Sequence, residues 1–409
     1  MVREIKAAAE QVFPTIAGLR RAIHSNPELA YEEHETARLV KDTLTPLGLH
    51  IQSGIAGTGL VATLEGDLPG PPVLLRADMD ALPIQERTGV SFASTRAGVM
   101  HACGHDVHTA SLVGTAMILS RIRAKLAGTV RMVFQPSEEL LPGGARPMIE
   151  AGILHGQHSR PAAAFAQHVM HSLPAGSIGI RSGMFMASSD ELYIRIEGQG
   201  GHGAEPHRLL NDPVVAAAHA VVALQSIISR HCPPNVPGVL SIGRMEALGS
   251  TNVIPSTVSL TGTLRTMSEA WRSEAHKLIR RVVRQTAQAH GAGATVKIKA
   301  GYPVLYNDPE AAALTRSAAV EYVGQPATVD ADLWFASEDF AYFLQELPGA
   351  LYLIGAGCPH AIHTPRFLAA DAALLTGTGF MAYLAWRFLA ARAASEQGSG
   401  AGISQRMRQ

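Results

Sequence analysis

The stretch DELYIRIEGQ, residues 190–199, alternates apolar and polar side chains and therefore predicts a β-strand with one buried face. It opens a run of elements whose spacing differs from that of the chain before it. A helix, two strands, a helix and a strand are predicted to follow, at residues 212–230, 238–247, 257–266, 268–291 and 294–303. The order βαββαβ is typical of a ferredoxin-like sandwich, so we predict a small domain of this type at residues 184–303.

The sequence on either side alternates helices with short apolar strands, which indicates an α/β sheet layered with helices. One helix is predicted over residues 24–48, with Asn26 as its N-cap, Pro27 in its first turn and Gly48 at its end. A second helix is predicted at residues 108–128. The apolar strands of this part are predicted at residues 59–66, 71–78, 129–135 and 162–170.

The same alternation of helices and strands resumes after the insertion. We therefore predict the fold class α/β, with one discontinuous α/β domain at residues 1–183 and 304–396 that the βαββαβ domain interrupts. The Gly- and Ser-rich end of the chain, residues 397–409, is predicted to be a disordered tail.

Composition argues against several classes of protein. The 409 residues include 34 Lys and Arg against 34 Asp and Glu, so no basic field exists to bind nucleic acid. The N-terminal residues lack the apolar core of a secretory signal, and we find no apolar run long enough to span a bilayer, so no membrane partner is expected. Cys103, Cys232 and Cys358 are odd in number and far apart, which favours a reducing compartment, and we predict the cytoplasm.

Polar residues that could carry chemistry follow several of the predicted strands. Asp78 and Asp80 end one strand, Glu138 and Glu139 follow another, and His168 ends a third. Because an open α/β sheet binds its ligands at the carboxyl ends of its strands, we expect these side chains to converge.

Two loops add further donors. The stretch MHACGHDVHTA, residues 100–110, places Cys103 and His105 two positions apart, and CPHAIHTPRF, residues 358–367, adds His360 and His363. Structural zinc sites favour paired C-x2-C spacing, whereas mixed S, N and O donors suit a catalytic site with open positions. Five donors exceed the needs of one tetrahedral ion and would suit two ions. A cysteine nucleophile with a nearby histidine is the alternative, but it leaves the glutamates and the distant histidines without a role.

Eight motifs follow one another along residues 10–390: HSNPELAYEE, RADMDALP, MHACGHDVHTA, FQPSEE, GQGGHGAEPH, TNVIPSTVSLTGTLRT, SEDFAYF and IHTPRF. In this order they resemble the aminoacylase and carboxypeptidase family of two-metal amidohydrolases, most closely its branch of hippurate hydrolases and indole-acetyl-amino-acid hydrolases. The resemblance implies a catalytic domain interrupted by a smaller lid or dimerisation domain.

Carried over residue by residue, the resemblance implies two divalent ions per subunit, Mn, Zn, Co or Ni, held by Cys103, His105, Glu139, His168 and His363. Glu138 is implied as the general base, and Asp80 as the aspartate that orients the metal site.

The chain departs from many members of the family at two of these places. Asp78 stands where they have a histidine ligand, and Cys103 stands where they have a bridging aspartate. We therefore predict Cys103 as a ligand and as the bridge, and leave Asp78, His101 and His108 outside the set of ligands.

The resemblance also assigns residues of the inserted domain. His202 is implied to donate a hydrogen bond to the reacting oxygen, from the lid of a partner subunit. Asn252, Arg265 and, with less support, His207 are implied to bind the substrate, because a free α-carboxylate needs an arginine fork or an amide. A homodimer or homotetramer formed through the lid follows.

The function implied is hydrolysis of the amide of an N-acyl amino acid to a carboxylic acid and a free amino acid. A dipeptidase, a carbamoylase or an N-acetyl-diaminopimelate deacetylase on the same scaffold stays open, because the motifs do not describe the pocket. A non-catalytic metal-binding protein is the alternative from another class, and Glu138 beside Glu139 speaks against it, since such a protein needs no base.

Overall fold

The computed structural model describes residues 1–155, 159–208 and 211–406, with side chains up to Ser395. Its α-helices are α1 Val2–Ser25, α2 His34–Leu44, α3 His105–Arg121, α4 Ala145–Glu150, α5 Pro213–Ser226, α6 Glu269–Ala289, α7 Pro309–Val323, α8 Ala341–Glu346 and α9 Asp371–Arg406.

The β-strands of the same residues are β1 His50–Ile55, β2 Gly59–Glu65, β3 Val73–Asp78, β4 Thr129–Gln135, β5 Ala164–Met170, β6 Ile178–Ile180, β7 Gly183–Met186, β8 Asp190–Glu197, β9 Gly201–His202, β10 Gly238–Glu246, β11 Val253–Ile254, β12 Thr257–Thr266, β13 Gly293–Ala300, β14 Leu305–Asn307, β15 Thr328–Asp330 and β16 Gly349–Gly355.

The chain divides into two compact units. The first contains residues 1–183, 306–332 and 339 onward, and the second contains residues 184–305 and 333–338. The prediction ended the insertion at residue 303 and gave all of 304–396 to the first domain. The structure differs at residues 333–338, because Trp334 forms a β-bridge with Met186 and its carbonyl accepts the N–H of Ala187.

An eight-stranded sheet forms the centre of the first unit, in the order β1-β2-β4-β3-β5-β16-β6-β15. The neighbouring strands β4, β3, β5 and β16 run parallel, so their carboxyl ends meet at one edge of the sheet. Helices α1, α3 and α9 pack together, and α3 and α9 also pack against these strands. The predicted α/β class is confirmed, and the four central strands provide the edge at which ligands bind in such sheets.

The second unit contains a four-stranded antiparallel sheet in the order β10-β12-β8-β13. In chain order its elements are β8, α5, β10, β12, α6 and β13, which is the predicted βαββαβ order. Alternate residues of β8, among them Leu192, Ile194 and Ile196, are buried against the two helices, because successive side chains of a strand point to opposite faces.

The expectation that no apolar run is long enough to span a bilayer is wrong as stated. The helical segment Pro213–His231 is long and apolar enough to cross a bilayer by length and composition, with a mean hydropathy of 1.3. Core helices of water-soluble proteins pass the same test. Ala216, Ala217, Ala220 and Leu224 of this segment are fully buried, and α5 packs on α6 and the sheet of the second unit, which accounts for the 33% of the apolar window that is buried.

The predicted helix 24–48 begins much later than expected. Helix α1 extends to Ser25, and α2 begins only at His34. Asn26 is not an N-cap: its side chain donates to the carbonyl of Ala22 at the end of α1. The carboxylate of Glu28 instead accepts the N–H of Thr36 at 2.9 Å, so a residue eight positions away supplies the cap.

The last helix, α9, is continuous to Arg406 and so includes most of the segment predicted to be disordered. Side chains from residue 396 and the backbone of residues 407–409 lie outside the described part of the chain. No described side chain tests the disorder predicted for residues 397–409, so that disorder stays a prediction.

Helices α1 and α3 are joined by buried charges. Arg20 Nε lies 2.7 Å from Asp106 Oδ2, and His24 Nδ1 lies 2.8 Å from the same oxygen. The other ring nitrogen of His24 lies 3.2 Å from Glu86 Oε1. Burial lowers the pKa of His24, but the charges and hydrogen bonds of Asp106 and Glu86 outweigh it and raise the pKa to about 9.

This cluster predicts a pH-dependent contribution to stability. A histidine whose pKa is 6.5 in the unfolded chain and about 9 in the folded one stabilises the fold fully below pH 6.5 and loses that effect as the pH rises through 9. The change amounts to at most about 3 kcal/mol, at 1.36 kcal/mol per pKa unit. We expect the gap in unfolding free energy between the wild type and His24→Gln, measured in urea, to narrow from pH 6.5 to pH 9.5.

The exposed His34 on α2 provides the control, because its side chain lies in water, unlike that of the buried His24. His34→Gln should change the unfolding free energy by no more than about 0.5 kcal/mol, because exposed side chains contribute little. A gap for His24→Gln that stays constant from pH 6.5 to pH 9.5 would contradict the ionic role of His24.

Candidate metal centre

The side chains predicted to bind metal lie together in the first unit, at the carboxyl ends of its parallel strands. His168 is near the end of β5, and the glutamate pair follows β4. Ser137, just before Glu138, has φ 49°, so the chain turns sharply there. His363 also has positive φ, and its N–H donates to the carbonyl of Ala102 at 2.8 Å, which fixes its loop beside that of Cys103.

A glycine makes the turn between two of these donors possible. Gly104, between Cys103 and His105, has φ 84° and immediately precedes α3. A Cβ at this position would lie 2.4 Å from Cγ2 of Val169, so any other residue would clash with the β5 strand. The Cys-Gly-His turn can therefore lie directly against the end of β5.

Two of the groups of donor atoms that could hold a metal ion have Cys103 in common. Cys103 Sγ lies 3.4 Å from Nε2 of His168 and 3.3 Å from Nε2 of His363. One group able to hold a metal contains Cys103, His105 and His168, and another contains Cys103, Glu139 and His363, with all donor atoms of a group within 4.8 Å of one another. A shared thiol between two groups is the arrangement that a bridging ligand requires.

Two of the histidines are oriented by carbonyl groups. His105 Nδ1 donates to the carbonyl of Asp80 at 2.8 Å, and His168 Nδ1 donates to the carbonyl of Val169 at 2.7 Å. Each ring therefore presents its Nε2 lone pair to the cluster, which is the usual way that a protein fixes the tautomer of a metal ligand. Asp80 also accepts the N–H of Glu139 at 2.9 Å, so it links two of the predicted ligands.

The donors fit a metal ion. His105 Nε2 is fully buried, lies 3.9 Å from Glu139 Oε1 and has no hydrogen-bond partner among the described residues. A buried nitrogen of this kind is costly unless something binds it, and a divalent cation would bind it together with the carboxylate. Sulfur, nitrogen and oxygen donors with spare positions suit transition metals better than magnesium.

The pKa values of the cluster reflect its burial and its negative charges. Burial raises the pKa of the Cys103 thiol well above its usual value, and Glu139 and Glu138 raise it further. Burial opposes the charged form of His105, but Asp78 and Asp80 outweigh it and raise its pKa to about 10. A bound cation reverses both effects, since a coordinating thiol loses its proton and a coordinating imidazole must be neutral.

A network of buried hydrogen bonds supports the cluster from beneath, and the parts of Asp78 and Arg76 in it were not predicted from the sequence. His108 Nδ1 lies 2.7 Å from Asp78 Oδ1, and its Nε2 accepts the N–H of Val169 at 2.9 Å. Arg76 Nη1 donates to Asp78 at 2.7 Å. Burial opposes ionisation of Asp78, but the charges of His105, Arg76 and His108 hold its pKa well below the usual range. The three charged residues of the buried stretch RADMD, Arg76, Asp78 and Asp80, were the feature of the sequence that could have indicated this network.

Glu33 supports the glutamate turn and was also missed. It is fully buried, and its Oε1 accepts the N–H of Ser137 at 2.8 Å and that of Tyr31 at 3.0 Å. Burial raises its pKa. The carboxylate holds the backbone of the turn from which Glu138 and Glu139 project, and no spacing in the sequence indicates this contact across 104 residues.

The residues assigned to substrate lie in the second unit. His202 is in β9, opposite Val253 of β11, and the carbonyl of Asn252 accepts the N–H of Gly203. Arg265 is in β12; its Nη1 is buried and has no hydrogen-bond partner among the described residues, and burial lowers its pKa. His207 is exposed in the short turn Pro206–Arg208.

His101 and His108 were predicted to lie outside the ligand set, and His108 forms, with Asp78 and His105, a further group able to hold a metal ion. His108 binds Asp78, as described. His101 is 1% exposed, and neither ring nitrogen has a hydrogen-bond partner among the described residues. Burial lowers the pKa of His101 to about 4, so this ring is neutral. The ligand assignment as a whole stays a prediction.

Comparison with known proteins identifies the family. Residues 74–387 match the model of peptidase family M20/M25/M40. The chain is 42% identical over 306 residues to an N-acyl-L-amino acid amidohydrolase of Geobacillus stearothermophilus, covering 75% of this chain and 81% of the relative. It is 37% identical over 374 residues to an N-acetyl-L-cysteine deacetylase of Bacillus subtilis, covering 91% and 88%.

A solved structure agrees in both sequence and fold. The YXEP protein of Bacillus subtilis, described as a dinuclear metal binding peptidase from the M20 family, is 36% identical, with a TM-score of 0.82 over 93% of this chain and 99% of that one. The described residues of this chain likewise include groups able to hold two metal ions. The chain therefore belongs to peptidase family M20/M25/M40 and is a hydrolase of that family.

Proposed function

We propose that this protein is a two-metal amidohydrolase that cleaves N-acyl amino acids, hippurate-like molecules among them, to a carboxylic acid and a free amino acid. The observation that carries the proposal is a buried glutamate, Glu138, beside a cluster of donors that shares one thiol. The names of two relatives, an N-acyl-L-amino acid amidohydrolase and an N-acetyl-L-cysteine deacetylase, support this class of substrate.

We assign two divalent ions, manganese, zinc, cobalt or nickel, to a ligand set of Cys103, His105, Glu139, His168 and His363. Ions bound there supply a lowered pKa for water and a polarised substrate carbonyl. Asp80 keeps His105 and Glu139 in position through the hydrogen bonds described above. Asp78 and His108 support the cluster from beneath.

Glu138 is proposed as the general base. It accepts the proton of the attacking water and then delivers it to the nitrogen of the departing amine, so one carboxylate serves both steps. His202 is proposed to donate a hydrogen bond to the carbonyl oxygen as negative charge develops on it. Arg265 and Asn252 are proposed to bind the α-carboxylate of the substrate, with a lesser role for His207.

The second unit is proposed to pair with a second copy of the chain, as a homodimer or as the dimer within a homotetramer. Strand β10 is an edge strand of its sheet, and Val239 and Met245 in it are 41% and 42% exposed. Val222 of α5 is 72% exposed. An unpaired edge beside exposed apolar side chains favours pairing with an identical edge.

Two further assignments are kept as proposals. The three cysteines are free thiols, which agrees with a reducing compartment, and we propose the cytoplasm. The net charge of zero agrees with a small-molecule substrate and with no nucleic-acid or membrane partner.

Replacement of the base is the first test. Glu138→Gln should lower kcat for N-benzoylglycine and N-acetyl-methionine by about 10²- to 10⁴-fold, because the attacking water loses its proton acceptor. The metal content should stay at the wild-type value. Glu150→Gln, at an exposed glutamate of α4, is the matched control and should keep full activity. Equal activity of Glu138→Gln and the wild type would exclude this role.

The reactivity of Cys103 tests the metal assignment. We expect slow alkylation of Cys103 by iodoacetamide in the metal-loaded enzyme and faster alkylation after phenanthroline removes the metal, because coordination occupies the thiolate. Peptide mapping separates this site from Cys358, which is buried and serves as the internal control. Equal rates at Cys103 with and without metal, or full activity after complete chelation, would show the assignment to be wrong.

Complementation tests the contribution of His202 across the dimer. If His202 acts in the partner's site, a mixed dimer of Glu138→Gln and His202→Ala chains contains one intact site. Because half of randomly formed dimers are mixed, co-expression should recover about a quarter of wild-type activity. Each variant alone should stay inactive. No recovery in purified mixed dimers would place His202 in the site of its own chain or outside catalysis.

A further inference from the structure

The first unit has a cavity that does not include the metal cluster. It has a volume of about 580 Å³, and its walls are strands β1, β2 and β4 on one side and the segment Ala151–His155 on the other. None of the proposed metal ligands lines it. The volume is in the range of sites that bind small molecules.

The register of the sheet places three polar side chains in one row on the wall of this cavity. His50 of β1 is paired with Thr63 of β2, and Thr63 is paired with Arg131 of β4. Directly paired residues share a face of the sheet, and all three line the cavity. The residues on either side of Arg131, Val130 and Met132, belong to the hydrophobic core on the opposite face.

Arg131 is the charged member of this row, and it is only partly bonded. It is 3% exposed, and its Nη1 donates to the carbonyls of Ile153 and His155. Its Nε and Nη2 make no hydrogen bond or ion pair with any described residue. No residue that lines the cavity has a carboxylate.

The other buried arginines of the described residues are compensated differently. Arg20, Arg76 and Arg272 each donate to an aspartate, at 2.7, 2.7 and 2.8 Å. Arg131 has no such partner, and burial lowers its pKa from the ordinary value of an arginine. Burial of a guanidinium without an opposite charge costs free energy. Binding of an anion that reaches the guanidinium is therefore favoured, because the anion supplies the missing charge.

We propose that this cavity binds a small molecule through a carboxylate or phosphate group. Nε and Nη2 lie on one edge of the Arg131 guanidinium, and their parallel N–H groups match two oxygens of such a group. The hydroxyl of Thr63 and the ring of His50 lie beside them in the same row. Ile55 and Val61 provide apolar surface for the rest of the molecule.

A purely structural role is the competing explanation. In that case Arg131 only fastens the segment after α4 through the carbonyls of Ile153 and His155, and the cavity binds nothing. The two explanations differ in whether an anion binds to the intact protein and in whether a blocked cavity prevents it.

Calorimetric titration of the metal-loaded protein with inorganic phosphate and with benzoate distinguishes them. Because the metal centre also attracts oxyanions, the comparison is between variants. We expect the wild type to bind one more anion per chain than Arg131→Gln does. Gln52→Trp, at an exposed position of the lining that is paired with Val61 on the same face as Thr63, should fill the cavity and abolish the same binding with Arg131 intact. Arg123→Gln, at an exposed arginine paired with Asp67, should match the wild type.

The stoichiometry decides the outcome. Loss of one anion in both Arg131→Gln and Gln52→Trp supports the site. Equal stoichiometry and equal dissociation constants in the wild type and Gln52→Trp overturn it, and this comparison holds even if Arg131→Gln does not fold. Binding that is lost in Arg123→Gln as well would show a general charge effect and would also overturn it.

Discussion

Burial of the Arg76 guanidinium is the constraint on which the first unit depends. The side chain lies inside the sheet with no exposure, so its charge must be balanced by Asp78 and Asp339. Asp339 also accepts the N–H of Ala145 at the start of α4. One charge thereby joins β3, α4 and the part of the chain that returns after the second unit. Loss of one partner from such a set costs about 3–5 kcal/mol, because the remaining charge stays buried.

Much of this architecture could be predicted from local pattern. Strand β4 has the bounds predicted for it, because an apolar run between a glycine and a proline has few alternatives, and the convergence of donors follows from parallel strands. Long-range contacts could not be predicted in this way. Asn26 and Pro27 have the pattern of a helix start, yet Glu28 caps the helix from outside it. Glu33 reaches Ser137 from 104 residues away, and only the tertiary fold brings the two together.

The same sheet compensates buried arginines in two ways. The charge of Arg76 is balanced by the protein's own carboxylates, those of Asp78 and Asp339, and its Nε donates to Gln135. Arg131 lies in the neighbouring strand β4, two residues before the residue paired with Arg76, and only its Nη1 is bonded, to carbonyl oxygens. Charge balance thus separates a structural arginine from one that is available for binding, although both are buried and both lie in central strands.

The strand order has a consequence for synthesis on the ribosome. Strand β16 lies between β5 and β6, although it follows them in the chain by about 170 residues or more. Pairings between strands so far apart in sequence form slowly. The strands β8, β10, β12 and β13 of the second unit are complete by residue 300. The second unit can therefore close on itself while β5 still has an open edge. A chain that stops before residue 349 would contain a finished small sheet and an unfinished large one, whose exposed edge invites aggregation.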